Sequence, residues 1–264
     1  MAMEWVVAVV ALVLAVPVAM YVGQDRLLFH PQPVPENARA QIEQSFPGAA
    51  SVFIQARDGT RLHAWHLKGS PLVVYFGGNG EDVSWMLRRV AQQAPGAGWL
   101  LVDYRGYGFS AGSPSEAALS SDAIEWFDYA KQKLEAPQVV LFGRSLGSGV
   151  AVQLAAARAV EGVILATPYD SMTNVASHHY PYLPVSWMLK HPFDSLARAP
   201  SITAPLLCLV AEHDQVIPVV HSKQLFEAWK GPKRWVELAG AGHNSTDDVP
   251  AFGQAIREFL VQPH

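Results

Sequence analysis

Five short, near-continuous apolar runs constrain this chain most: Leu72-Val73-Val74-Tyr75-Phe76, Trp99-Leu100-Leu101-Val102, Val139-Val140-Leu141-Phe142, Val163-Ile164-Leu165 and Leu206-Leu207-Cys208-Leu209-Val210. Strands that are apolar at every position are buried on both faces, as in a parallel sheet covered by helices. Longer stretches of helical pattern separate them. In 116–134, for example, Leu119, Ala123, Ile124, Phe127 and Ala130 recur at helical spacing behind the capping sequence Ser113-Pro114-Ser115-Glu116. The runs 51–57 and 61–67 flank Asp58-Gly59-Thr60 and predict an antiparallel hairpin at the sheet edge. With 234–238 the expected architecture is a mostly parallel, eight-stranded α/β sheet with helices on both faces.

Composition narrows the function. Hydrophobic residues make up 50% and charged residues 16%, so the chain can bury a large core. Its single cysteine, Cys208, forbids an intramolecular disulfide framework and any multi-thiolate metal site. The 19 Lys plus Arg against 23 Asp plus Glu give a net charge of -4, without the basic excess that phosphate backbones require, and nucleic acid is not an expected partner.

Residues 5–22 contain no Asp, Glu, Lys, Arg or His. As a helix they would span roughly 27 Å, the thickness of a bilayer core. No Lys/Arg leader precedes them, so an uncleaved membrane anchor over 1–24 is expected, with a linker over 25–50 that carries Pro31, Pro33 and Pro35. The body then runs over 51–264. Within it 171–201 interrupts the strand–helix rhythm with His178, His179, Tyr180, Tyr182, Trp187, Met188 and Phe193, and reads as a short lid insertion.

Gly143-Arg144-Ser145-Leu146-Gly147 matches G-x-S-x-G, but so does Gly108-Phe109-Ser110-Ala111-Gly112. Context separates them. A nucleophile must sit on a sharp strand-to-helix turn whose glycines leave room for a strained backbone. Ser145 follows the run 139–142 and precedes a small-residue helix, whereas Ser110 lies among loop residues. A serine hydroxyl needs a base within reach and an acid that sets the base's tautomer. Asp214 follows the 206–210 run, and His243 lies in Gly240-Ala241-Gly242-His243-Asn244 after the next strand, so both fall at the sheet's carboxyl edge in the order Ser, Asp, His. Taken singly, such an aspartate is usually a turn residue and such a histidine a surface or core side chain. Asp170, after the 163–165 run, competes as the acid.

Acyl transfer also requires two backbone donors for the developing oxyanion. These are expected from Leu146 and, in the loop Gly77-Gly78-Asn79-Gly80, from Asn79. A plain turn and a nucleotide loop are the other readings, but Val83 stands where the third glycine of a dinucleotide fingerprint belongs. Gly78, Tyr169 and Trp187 are candidate substrate contacts. No metal site is expected: His63 and His66 would face opposite sides of a strand, and His178-His179 lack a nearby carboxylate pair.

These residues, with Gln24-Asp25-Arg26-Leu27-Leu28-Phe29-His30-Pro31, Phe76-Gly77-Gly78-Asn79-Gly80-Glu81 and Asp103-Tyr104-Arg105-Gly106-Tyr107-Gly108, resemble the α/β-hydrolase superfamily, and within it the membrane-anchored branch related to serine aminopeptidase-like hydrolases. The resemblance covers residues 21–262. It implies an α/β-hydrolase fold with an N-terminal membrane helix, a Ser145, Asp214, His243 triad and no cofactor. Some members act on lysophospholipids, monoacylglycerols or palmitoylated proteins. Many relatives carry histidine where this chain has Gly77. The expected activity is hydrolysis of an acyl ester or thioester near a bilayer. A peptidase with the same triad and a non-catalytic binding protein on the same fold are the alternatives.

Overall fold

The computed structural model describes residues 2–261. Residues 1 and 262–264, the ends of the expected anchor and body, lie outside them. One eight-stranded sheet has the order β1-β2-β4-β3-β5-β6-β7-β8. The strands are β1 (Ala49–Gln55), β2 (Arg61–Leu67), β3 (Leu72–Phe76), β4 (Gly98–Val102), β5 (Val139–Arg144), β6 (Gly162–Ala166), β7 (Leu206–Ala211) and β8 (Lys233–Leu238). The β1–β2 hairpin pairs antiparallel, β2 joins β4 antiparallel, and every pairing from β4 to β8 is parallel.

The helices are α1 (Ala2–Leu28), α2 (Ala38–Ser45), α3 (Met86–Gln93), α4 (Glu116–Gln132), α5 (Leu146–Ala157), α6 (Met172–His179), α7 (Val185–Met188), α8 (Ser195–Arg198), α9 (Val219–Ala228) and α10 (Pro250–Val261). Alternate residues of each central strand feed different layers. Leu72, Val74 and Phe76 pack with α4, α5 and α9 through Trp126, Val150 and Leu225. Val73 and Tyr75 pack on the other face with α3 and α10 through Leu87, Phe252 and Ile256. This double burial is why the strands read as unbroken apolar runs. Ser115 caps α4 as its sequence predicts, its Oγ accepting from the Ala118 amide at 3.2 Å.

Strand order reverses at β3, whose neighbours are β4 and β5. The loops leaving β3 and β5 therefore diverge and open a crevice at their carboxyl ends, where ligands bind in open α/β sheets. The glycine loop and Ser145 both emerge there.

The N-terminal segment departs from expectation. Among the described residues no helix is long and apolar enough to cross a membrane, so the expected membrane anchor is not found. The residues expected as a polar exit are helical: Gln24, Asp25 and Arg26 lie inside α1, which continues to Leu28 and packs its last turns against the body. The Gln24 amide donates to Tyr21 O at 3.0 Å and Met188 O at 2.9 Å, and its Oε1 accepts from Lys190 N at 2.7 Å. Asp25 lies 2.9 Å from His191 Nε2, and Phe29 is 2% exposed in the main core. Beyond it, Val34 N donates to Gly108 O at 2.8 Å and Gly108 N to Gln32 O at 2.9 Å. The stretch 25–50 expected as a linker thus holds the end of α1, a bridge to the body at Pro33 and Gly108, helix α2 and the start of β1.

Candidate active site

Ser145 sits between β5 and α5 with φ 50° and ψ −116°, a left-handed conformation rare for a residue bearing a Cβ. Such strain costs roughly 1–3 kcal/mol and persists only where the surroundings over-determine it. Here the Ser145 amide donates to Ala166 O at 2.9 Å, and the Ser145 carbonyl accepts from Ser148 N at 2.9 Å and Ser148 Oγ at 2.7 Å. Gly143 and Gly147 make the close approach possible: a Cβ on Gly143 would lie 2.7 Å from the Gly147 carbonyl carbon, and one on Gly147 would lie 2.7 Å from the Gly77 oxygen.

His243 Nε2 lies 2.9 Å from Ser145 Oγ, and His243 Nδ1 lies 2.8 Å from Asp214 Oδ2. A carboxylate only accepts, so the proton of a neutral ring resides on Nδ1 and the Nε2 lone pair faces the hydroxyl. Asp214 is held in turn: its Oδ1 accepts from Val216 N at 2.9 Å and Ile217 N at 2.7 Å. Both ends of this chain are sheltered, with side-chain exposures of 2% for Asp214 and 11% for His243. Hydroxyl, imidazole and carboxylate form one hydrogen-bonded chain.

Among the described residues, no protein acceptor pairs with the amides of Asn79 or Leu146. Leu146 is the first residue of α5, where backbone amides and helix dipole favour negative charge. Gly78 lies against Ser145, since a Cβ there would be 3.8 Å from Ser145 Cβ, but its own amide donates to Glu81 Oε2 at 2.7 Å. Tyr169 is buried and donates to Leu146 O at 3.2 Å, beneath the elbow. Trp187 stands on α7, 88% exposed.

Sequence reading assigned no role to several residues that organise the site. Glu81 accepts from Tyr75 Oη at 2.7 Å as well as from Gly78, and burial together with the Glu81 charge pushes the Tyr75 phenol well above its ordinary range. An acid two residues beyond Asn79 in a glycine loop was the available signal. Arg144 lies 3.6 Å from Asp247, which also pairs with Arg89, so the serine turn is tied to the segment after His243. The Asn79 side chain is a clamp on the N-terminal segment: its Nδ2 donates to Leu28 O at 2.7 Å, and its Oδ1 accepts from His30 N and Tyr107 Oη, each at 2.9 Å. Asn79→Ala should lower kcat for ester hydrolysis by up to about a hundredfold, the cost of misplacing a reacting group by about 1 Å. KM should change little. Steady-state kinetics check this, and a change confined to KM would contradict it.

The competing residues are engaged elsewhere. Ser110 is buried, donating to Asp103 O and accepting from His63 N, each at 2.8 Å. Asp170 accepts from Ser171 N at 2.6 Å and Asn174 Nδ2 at 2.7 Å, and lies 3.1 Å from His221 Nδ1 rather than against His243. A second Ser–His–Asp chain exists: Ser51 Oγ lies 2.9 Å from His63 Nε2, and His63 Nδ1 lies 2.7 Å from Asp103 Oδ2. It lacks an elbow, because Ser51 sits mid-strand in β1 opposite Trp65. Burial raises the Asp103 carboxyl, opposed by the His63 bond, and Phe53, Trp65 and Phe109 box in the ring. Cys208 is buried, which pushes its thiol up. Among the described residues no group of three or more His, Cys, Asp or Glu is placed to hold a metal.

An eight-stranded sheet with its crevice at β3 and a serine elbow after β5 defines a class of α/β enzymes, and comparison with known proteins supplies the family. The model of the alpha/beta hydrolase fold matches residues 71–197. A Mycobacterium tuberculosis protein, Rv2307c, is 36% identical over 97% of this chain and 94% of its own length. The lysophosphatidylserine lipase ABHD12 of Danio rerio is 29% identical over 80% of this chain and 63% of its own length. The Pyrococcus furiosus esterase Pf2001 superposes with a TM-score of 0.68 at 19% identity, covering 88% of this chain and 98% of that structure, a likeness of fold. The chain belongs to the α/β-hydrolase superfamily.

Proposed function

We propose that this hydrolase cleaves carboxylic ester or thioester bonds of lipophilic acyl substrates through a covalent acyl-enzyme on Ser145. The observation that carries the reading is the continuous chain Ser145 Oγ, His243 Nε2, His243 Nδ1, Asp214 Oδ2 beside two unpaired amides. Ser145 Oγ attacks the carbonyl carbon while its proton passes to His243 Nε2, and the carbonyl electrons move onto oxygen. The amides of Asn79 and Leu146 face that oxyanion; such a donor is typically worth about 3–4 kcal/mol of barrier. As the tetrahedral intermediate collapses, the bond to the leaving alcohol or thiol breaks and Nε2 returns the proton to it. Water then repeats the sequence: its proton goes to Nε2, its oxygen bonds the acyl carbon, and the acid leaves as Ser145 Oγ recovers a proton. Asp214 stabilises the imidazolium throughout.

The lipophilic part of the proposal draws support from the Danio rerio relative, named as a lysophosphatidylserine lipase, and from apolar surface beside the site. Labelling with a fluorophosphonate probe tests the nucleophile. The wild type, Ser110→Ala and Ser51→Ala should label, and Ser145→Ala should not. Label that survives Ser145→Ala would overturn the assignment.

A further inference from the structure

A groove of about 710 Å³ lies between the last turns of α1 and the α6–α7 insertion. Its volume falls within the roughly 300–1,000 Å³ of small-molecule sites. From the α1 side it is walled by Leu27 and Leu28, from the insertion by Val175, Ala176 and Met188, and from the loop after Asp214 by Val216. The lining is predominantly apolar, and its polar groups are the side chains of Gln24 and His179 and the hydroxyls of Tyr21 and Tyr180. Gln24 has both ends of its amide bonded within the wall, and His179 Nε2 lies 2.9 Å from Val216 O. Such a lining selects apolar matter.

Its position relative to the reaction centre identifies the occupant. Leu28, on one wall, accepts through its carbonyl from the side chain of Asn79, whose amide is a donor in the proposed mechanism. Val216, on another, donates through its amide to Asp214. The groove is therefore bonded at two places to the loops that carry Asn79 and Asp214. We propose that the groove holds the acyl chain of the substrate, so that the end of α1 determines chain-length specificity. The inference rests on the serine-hydrolase reading and adds to it where the chain goes.

The test compares kcat/KM for p-nitrophenyl acetate and p-nitrophenyl laurate in the full chain. Leu27→Asp places a charge on one wall at a residue 61% exposed, and Ala176→Trp fills the groove from the other. Each should lower laurate turnover roughly tenfold or more and leave acetate turnover unchanged, which also reports that the variant is folded. Tyr182→Asp, on the insertion but outside the groove and 98% exposed, should change neither. Equal loss on both esters, no loss on either, or an altered oligomeric state with the chain-length profile intact would overturn the proposal. If the wild type cleaves neither ester and Ser145 takes no fluorophosphonate, the hydrolase reading itself fails.

Discussion

Asp214→Asn is expected to lower kcat for ester hydrolysis by about four orders of magnitude. The two loop amides of Val216 and Ile217 both donate to Asp214 Oδ1 and would keep the asparagine carbonyl oxygen in that place. Its NH2 group would then face His243 Nδ1 and donate to it. The ring would hold its proton on Nε2, where it cannot accept from Ser145 Oγ. Asp170→Asn makes the complementary case. Its carboxylate serves His221, Asn174 and the Ser171 amide, so the substitution should leave kcat near wild type while costing about 1–3 kcal/mol of stability from disrupted buried bonds. Steady-state kinetics and thermal melting of both variants check this. A large kcat loss in Asp170→Asn with little in Asp214→Asn would transfer the acid role.

Gly147→Ala is expected to be strongly destabilising. A Cβ there would collide with the Phe76 carbonyl oxygen and lie 2.6 Å from the Phe76 carbonyl carbon and 2.7 Å from Gly77 O. All of these are backbone atoms at the end of β3, so relief requires moving either α5 or the strand that leads into the glycine loop. Overpacking of this kind costs about 3 kcal/mol or more, which for a domain of this size lowers the melting temperature by roughly 6–12 °C. Gly48→Ala, where a Cβ would meet nothing within 4 Å, should melt as the wild type does. Circular-dichroism melts distinguish them, and equal melting temperatures would show that the elbow is looser than its contacts imply.

Where sequence reading worked, the signal was local. The runs that became β3 to β7 are unbroken because both faces of a central strand are buried, and the 58–60 turn marks its hairpin through backbone chemistry confined to a few residues. Ser145 was separable from Ser110 because an elbow demands a strand before it and a small-residue helix after it. The end of α1 misled for a related reason. An apolar helix followed by Gln24, Asp25 and Arg26 looks the same whether those side chains meet water or, as here, carbonyls and a histidine far along the chain.

By itself the amino-acid order determined the layers of this protein, the strand-to-helix turn that carries Ser145 and the succession of Ser145, Asp214 and His243 along one sheet edge, since periodicity and glycine placement encode them within a few residues. Only the tertiary structure decided which aspartate meets which histidine, that the His63 ring of the second Ser–His–Asp chain is boxed in by aromatic rings, and that Asn79 ties the first helix to the glycine loop after β3. Those are pairings across tens of residues, settled by where loops converge once the sheet has formed, and no local pattern records them.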